Sequence, residues 1–274
     1  MNNKPVKQID LKQAQAAAVR IARTVGALMR SNLHASKRAN SVTQHDIKLE
    51  LDVRSQALIE KALQRAFPSV ALVGEEGVAG RADAEYRWVV DPIDGTVNFA
   101  YGIPHACVSI ALQRRGQTPP KAGEFEDGYQ TMMGVVYDPF CDELWTAIRG
   151  QPARLNGKII HVSRRGKLRD TIVAIGFSKL RETLKTMLPY FNKLVHRVRK
   201  IRMTGSAALE LAYVATGRFD AFIECEIHLW DIAAGGLIIE CAGGEFWHQA
   251  IPGEHAYRVI ATNGLLRRSL LVPR

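Results

Sequence analysis

Apolar residues along this chain recur with two different periods, and the change of period divides it. Behind Asp10, which is placed to cap a first turn, Leu11, Ala18, Ile21, Val25, Leu28 and Leu33 follow helical spacing. A second amphipathic helix is predicted through Ala57, Leu58, Ala62 and Leu63, ended by Pro68, with Asp52 near its start. Residues 70–73 read as a short strand delivering Gly74-Glu75-Glu76-Gly77 to a loop. Trp88-Val89-Val90 read as the end of a buried strand, and 107–112, 133–137 and Glu143–Ile148 as further strands, with a hairpin turn at Leu155-Asn156-Gly157-Lys158. The interval 113–131, rich in Gly, Pro and acids, is longer than a hairpin needs and is expected to be an exposed loop. From Thr171 strands alternate with helices: a strand at 171–176, helices at 180–198 and 206–215, a strand at 219–224, and a helix opened by Asp231. In that last helix Ala233, Ala234, Gly235 and Gly236 would allow close approach to its neighbours. The pattern predicts an α+β first part around an antiparallel sheet and a layered α/β second part.

The chemistry concentrates where Trp88-Val89-Val90 meets Asp91-Pro92-Ile93-Asp94-Gly95-Thr96. Pro92 fixes its own φ and biases Asp91 toward an extended conformation, while Gly95 permits a sharp turn before Thr96 opens a helix. Two carboxylates beside free helix-start N–H groups make a site where divalent cations and a phosphate can meet. A bare Asp-Pro-x-Asp is more often a turn followed by a cap, and capping is also the common role of residues placed like Asp52 and Asp231.

Composition narrows the alternatives. The 274 residues, 47% hydrophobic and 23% charged, suffice for one large domain or two fused halves. Cys107, Cys141, Cys225 and Cys241 lie far apart, which disfavours zinc and a disulfide framework and fits a reducing cytosol. No apolar run approaches the ~20 residues of a membrane span, so a soluble, cytoplasmic chain without a membrane partner is expected. Metal-binding histidine pairs, a phosphate loop and a dinucleotide fingerprint are all missing, which removes support for zinc hydrolase, kinase and dehydrogenase readings. The net charge of +10 would draw anionic esters toward an acidic metal site. Nucleic-acid binding has no recognition motif behind it and is expected to be weak. The terminal Leu271-Val272-Pro273-Arg274 resembles an appended protease site.

Asp91-Pro92-Ile93-Asp94-Gly95-Thr96 with Asn98-Phe99 resembles the first signature of the inositol monophosphatase family, and Trp230-Asp231-Ile232-Ala233-Ala234-Gly235 its second. Gly74-Glu75-Glu76 and Gly205-Ser206-Ala207-Ala208 extend the resemblance. It implies an α-β-α-β-α layered sandwich, with halves at 1–150 and 151–274, the active site between them, and a homodimer. It also implies a phosphomonoesterase using two or three magnesium ions, a choice that hard oxygen donors without a His or Cys cluster favour. Glu75, Asp91 and the Ile93 carbonyl would hold one ion, and Asp91, Asp94 and Asp231 another. Thr96, oriented by Asp52, would activate water, with Glu76 in support. The N–H groups of Gly95 and Thr96 would hold the phosphate; Asp94, Gly205, Ser206, Ala207 and Glu224 would line the rest of the substrate, a phosphorylated polyol. Related enzymes take histidinol phosphate, sugar bisphosphates or nucleotide 3′-phosphates. Asp46-Ile47-Lys48-Leu49 departs from the family pattern: a cation at Lys48 would weaken a third metal position if it faces the site, and is a surface residue if it points into solvent. A basic scaffold that binds nucleic acid or protein is the alternative from another class.

Overall fold

Three apolar cores join five layers, the central one enclosing the middle helices, in the computed structural model, which describes residues 8–35, 38–42, 47–116, 124–177 and 181–270. The elements are α1 (Leu11–Asn32), β1 (Ala39–Val42), β2 (Ile47–Leu49), α2 (Glu50–Ala66), β3 (Ala71–Gly74), β4 (Gly77–Ala79), β5 (Tyr86–Asp94) and α3 (Thr96–Ala100). There follow β6 (Cys107–Arg115), β7 (Tyr129–Asp138), β8 (Glu143–Ile148), β9 (Arg154–Leu155), β10 (Lys158–Ile159) and β11 (Ile172–Phe177). The remainder is α4 (Arg181–Val195), β12 (Lys200–Arg202), α5 (Ala207–Ala215), β13 (Ala221–His228), α6 (Leu229–Cys241), β14 (Glu245–Ala250) and β15 (Ala256–Thr262). The terminal Leu-Val-Pro-Arg lies outside the described residues.

One sheet has the order β10-β9-β8-β7-β6-β5-β3-β4 and is antiparallel apart from the β3/β5 pair. Its hairpin at Arg154–Leu155 and Lys158–Ile159 lies past residue 150 yet still belongs to this sheet. The other has the order β12-β11-β13-β15-β14, with β11 parallel to both neighbours. Because successive strand residues face opposite ways, Trp88 and Val90 join α1 and α2 in one core while Val89 joins α5 and α6 in the next. Ala174 and Phe222 of the second sheet enter that same central core, and Val173, Ile175 and Ile223 pack outward with Met187 and Leu194 of α4. The layers are therefore α, β, α, β, α. Both faces of both sheets are covered, which is why β5 reads as an apolar run without alternation.

The first helix forms as its pattern predicts: the Asp10 carboxylate accepts the N–H groups of Lys12 (2.8 Å) and Gln13 (3.3 Å), and Ala18, Ile21 and Val25 are buried. The second differs. Ala57, Leu58 and Ala62 are exposed, and the buried stripe is Asp52, Ser55, Gln56, Ile59 and Leu63. Its N-terminal half is polar because it faces the carboxylate-bearing loops instead of a core. In α6 the small residues do admit close neighbours: a Cβ on Gly235 would fall 2.7 Å from the Leu211 side chain, and one on Gly236 2.5 Å from the Phe246 ring.

The expected loop at 113–131 is a correction. β6 continues to Arg115 and β7 begins at Tyr129, with residues 117–123 between them outside the described set. Phe125 and Gln113 are buried. The organiser is Arg87, whose guanidinium donates to Gln113 Oε1 (2.8 Å), pairs with Asp127 (2.6 Å) and lies 3.8 Å from the centre of the Tyr129 ring. Arg87→Met, which keeps length but loses the charge, should lower unfolding stability by about 2–3 kcal/mol. The check is a shift of the urea midpoint at unchanged m-value; an unshifted midpoint would show that the network is ornamental.

Candidate active site

The two acids of the central motif do not follow the strand; they lie in it. β5 runs on to Asp94, pairing Asp91 with Ser109 and Asp94 with Cys107, so three steps on β5 face two on β6. This bulge accommodates Pro92, which has no N–H to give a regular ladder. Asp91 Oδ1 accepts the Ile93 N–H (2.9 Å), which folds the bulge tightly. Gly95 then turns the chain with φ 92° into α3, where the Thr96 hydroxyl donates to the Ile93 carbonyl (2.8 Å).

Asp94 is fixed from the other side by the start of α5. Its carboxylate accepts the Ser206 hydroxyl (2.6 Å) and the N–H groups of Ala207 (3.2 Å) and Ala208 (2.7 Å), with Cys107 Sγ at 3.6 Å. Asp231, third residue of α6, accepts the His228 N–H at 3.0 Å. One carboxylate oxygen each from Asp91, Asp94 and Asp231 lies within 4.8 Å of the others. Burial first, and then the charges of Glu75, Asp94 and Asp231, push Asp91 well above the usual carboxylate range. Burial, then the charge of Asp94, raises Asp231 to about 7. Asp94 is raised by burial against the lowering effect of its four donors.

Glu75 lies beside this trio. Its N–H donates to Val90 O (3.3 Å), and Glu76 N–H donates to Gln56 Oε1 (2.9 Å), while Gln56 Nε2 reaches Gly77 O (3.2 Å). Gln56 thus holds the Glu75-Glu76-Gly77 loop from α2. Asp52, at the N-terminal turn of the same helix, is buried and accepts the Leu49 N–H at 2.8 Å. Asp46 and the Lys48 side chain lie outside the described residues, so the expected effect of Lys48 has no structural counterpart here.

Beside the aspartates opens a cavity of about 460 Å³, bordered by Asp94, Gly205, Ser206, Ala207, Glu224 and Asp231. It sits at the carboxyl ends of the parallel strands β11 and β13, the usual ligand position in such sheets. Four features in and around it escaped the sequence reading. Gly176 pairs with Glu224, and a Cβ there would fall 1.7 Å from Glu224 Oε2, so only glycine lets that carboxylate lie across β11. Glu210 accepts the Thr204 N–H (2.8 Å) and hydroxyl (2.7 Å). The Asn98 amide donates to His105 O (2.9 Å), Thr204 O (2.8 Å) and Gly205 O (3.3 Å), tying α3 to the turn before α5. Glu226 lines the same cavity two residues past Glu224. Glu210 follows the Gly205-Ser206-Ala207-Ala208 string and Gly176 ends an expected strand, but their partners become visible only with the turn and the strand register in hand.

A model of the inositol monophosphatase family matches residues 10–268. The chain belongs to that family. It is 38% identical over 242 residues to the protein named Nus factor SuhB of Xylella fastidiosa, covering 88% of this chain and 81% of that one. To inositol monophosphatase 1 of Solanum lycopersicum it is 36% identical over 272 residues, covering 95% and 94%. The crystal structure of the extragenic suppressor protein suhB from Bartonella henselae superposes with a TM-score of 0.82 at 32% identity, covering 94% of this chain and 96% of that one. Membership of the inositol monophosphatase family supports phosphatase chemistry, and the fold is the layered sandwich of its relatives.

The donor set fits a cation. Two buried carboxylates and a half-buried one converge with raised proton affinity, chiefly from burial, and a metal ion would supply the charge that protons otherwise provide. The sign of the pH dependence follows. A carboxyl raised in the folded state contributes stability that is full below the unfolded value of 3.8 and is lost as pH rises through about 7. Metal-free protein should therefore lose thermal stability over that window, and Mg²⁺ should restore more at about pH 8 than at about pH 5, approaching ~2.7 kcal/mol at a hundredfold excess over Kd. Thermal unfolding at the two pH values checks this; equal increments would separate cation binding from the aspartates.

Proposed function

We propose that this chain is a magnesium-dependent phosphomonoesterase that hydrolyses inositol monophosphate or a similar polyol or sugar phosphate with water as nucleophile. The observation that carries the reading is the convergence of Asp91, Asp94 and Asp231 beside a cavity that Glu224 also lines. Glu75, Asp91 and the Ile93 carbonyl would hold one magnesium and Asp91, Asp94 and Asp231 a second, Asp91 serving both. When bound, the ions supply the positive charge that acidifies a water and offsets charge on the leaving oxygen.

The chain's own groups do the rest. Thr96, oriented by Asp52, would position the attacking water, and Glu76 would play a supporting role. The N–H groups of Gly95 and Thr96 donate to the phosphate. The Asp94 oxygens are already engaged by Ser206, Ala207 and Ala208, so this carboxylate reaches the substrate region in a fixed orientation. Glu224 accepts hydroxyls of the alcohol, with Gly205, Ser206 and Ala207 along the same side. The site lies between residues 1–150 and 151–274, in a cytoplasmic homodimer. No helix among the described residues is long and apolar enough to cross a membrane. Histidinol phosphate, a sugar bisphosphate and a nucleotide 3′-phosphate are the alternative substrates.

Asp91→Asn removes the charge shared by both ions at nearly constant shape. It should cut magnesium-dependent phosphate release by at least about 10³-fold while leaving the circular dichroism spectrum and thermal transition cooperative. Near-normal turnover by the folded variant would remove the site assignment.

A second reading has its own support: SuhB relatives at 38% identity are named Nus factors, and this chain carries +10. A basic surface would give weak, sequence-independent nucleic-acid binding that falls steeply with salt and persists in Asp91→Asn. Fluorescence anisotropy with unrelated RNA sequences across a salt series measures it; tight, sequence-selective binding at physiological salt would raise this reading above the enzymatic one.

A further inference from the structure

The start of α5 lacks the cap that its residue type provides. Ser206 stands at the N-cap position, where a hydroxyl ordinarily accepts an N–H of the first turn, yet it makes no such bond. Its hydroxyl donates to Asp94 (2.6 Å), and the N–H groups of Ala207 and Ala208 go to the same carboxylate. The entry into the helix is held from inside instead. Glu210, whose own N–H donates to Ser206 O (3.0 Å), turns its carboxylate back along the helix, where one oxygen, Oε1, accepts both the Thr204 N–H (2.8 Å) and hydroxyl (2.7 Å). It is the only charged residue of α5 and is 3% exposed. Burial pushes its carboxyl up to about 7 against the lowering effect of the Thr204 donors, and no cation among the described residues offsets it. An acid so placed costs stability, so what it holds has to matter.

What it holds is the Thr204-Gly205-Ser206 turn. Glu210 takes Thr204, the Asn98 amide donates to Thr204 O (2.8 Å) and Gly205 O (3.3 Å), and Asp94 takes Ser206, so the turn is fixed by three side chains. Gly205 bends it with φ 80°. The turn also lies against the other end of the site: a Cβ on Gly95 would fall 3.2 Å from Gly205 O and from the Ser206 Cβ. We propose that Glu210 is a positioning residue, which by anchoring Thr204 fixes the entry into α5 and keeps the Ser206 hydroxyl and the first N–H groups of the helix turned toward Asp94. This deepens, and rests on, the phosphomonoesterase reading. Without the anchor, Ser206 is free to cap its own helix, and its oxygen then competes with Asp94 for the Ala208 N–H. Asp94 would lose donors and orientation together. A carboxylate that is to hold a cation depends on such partners for its aim.

Two measurements test this: magnesium binding to the metal-free protein by isothermal titration calorimetry, and kcat and KM on inositol 1-phosphate at saturating magnesium. They compare wild type, Glu210→Ala, Glu210→Gln, Thr204→Val, Ser206→Ala and the double variant Glu210→Ala/Ser206→Ala. Glu210→Ala should weaken magnesium binding and lower kcat by about tenfold each, with KM changed less. Glu210→Gln keeps an acceptor for both Thr204 donors and should restore most of both. Thr204→Val keeps the N–H and loses the hydroxyl, so its losses should be smaller and of the same kind. Because Glu210 acts through the Ser206 contact, the double variant should lose less than the product of the two single losses. A Glu210→Ala variant with a lowered thermal midpoint but wild-type magnesium affinity and kcat has lost a structural staple alone, which overturns the proposal. Losses in Glu210→Gln equal to those in Glu210→Ala, or fully multiplicative losses in the double variant, overturn it as well. If Glu210→Ala does not fold, Thr204→Val decides: weakened magnesium binding upholds the positioning role and wild-type affinity overturns it. If wild type hydrolyses no ester, the phosphomonoesterase reading fails by itself, and the calorimetric comparison still decides the role of Glu210.

Discussion

Everything at the candidate active site depends on the contact between one carboxylate and the beginning of one helix. Asp94 belongs to the eight-stranded sheet, and α5 belongs to the central layer that also supports the second sheet. The Ser206 hydroxyl and the N–H groups of Ala207 and Ala208 meet Asp94 within 3.2 Å. These N–H groups have no partner inside their own helix, and a carboxylate is the natural acceptor for the positive end of the helix dipole. The bond therefore satisfies α5, orients Asp94 and fixes the spacing between sheet and helix together. Asn98 reinforces the contact from a few residues away, joining α3 to the Thr204-Gly205 turn.

The electrostatic price of this arrangement is concentrated acid. Asp91, Asp94 and Asp231 are held close by backbone features: a bulge, a helix start and a capped first turn. None of the three can swing out into solvent, so burial, with the neighbouring charges added at Asp91 and Asp231, raises their proton affinity instead. Rigid scaffolding and raised proton affinity thus have a common origin, and the same rigidity prepares oxygen ligands for a cation without reorganisation.

How much of this was legible in the sequence varied with the kind of interaction. Asp91, Asp94 and Asp231 stood out because their neighbours form two recognisable strings, and α1 because its buried stripe is apolar throughout. The buried face of α2 was missed for the opposite reason. Periodicity finds helices by their apolar side, and this one turns Asp52, Ser55 and Gln56 inward to serve the loops around Glu75. Arg87 was invisible for a related cause: an arginine in a strand reads as solvent-facing until Gln113, Asp127 and Tyr129 are known to surround it. The layered architecture was implied by the family resemblance, whereas the pairing of Gly176 with Glu224 depends on a parallel register that no local pattern encodes.

The cavity draws its residues from separate parts of the fold. Its aspartates come from β5 and the start of α6, while Gly176, Glu224 and Glu226 come from the ends of β11 and β13, with α4 behind them. On the proposed function, reaction chemistry and the recognition of the alcohol would occupy different structural inheritances. A lineage built on this sandwich can therefore diversify its clientele by drift and selection along one sheet edge, while the acid trio in the neighbouring layers stays under constant constraint.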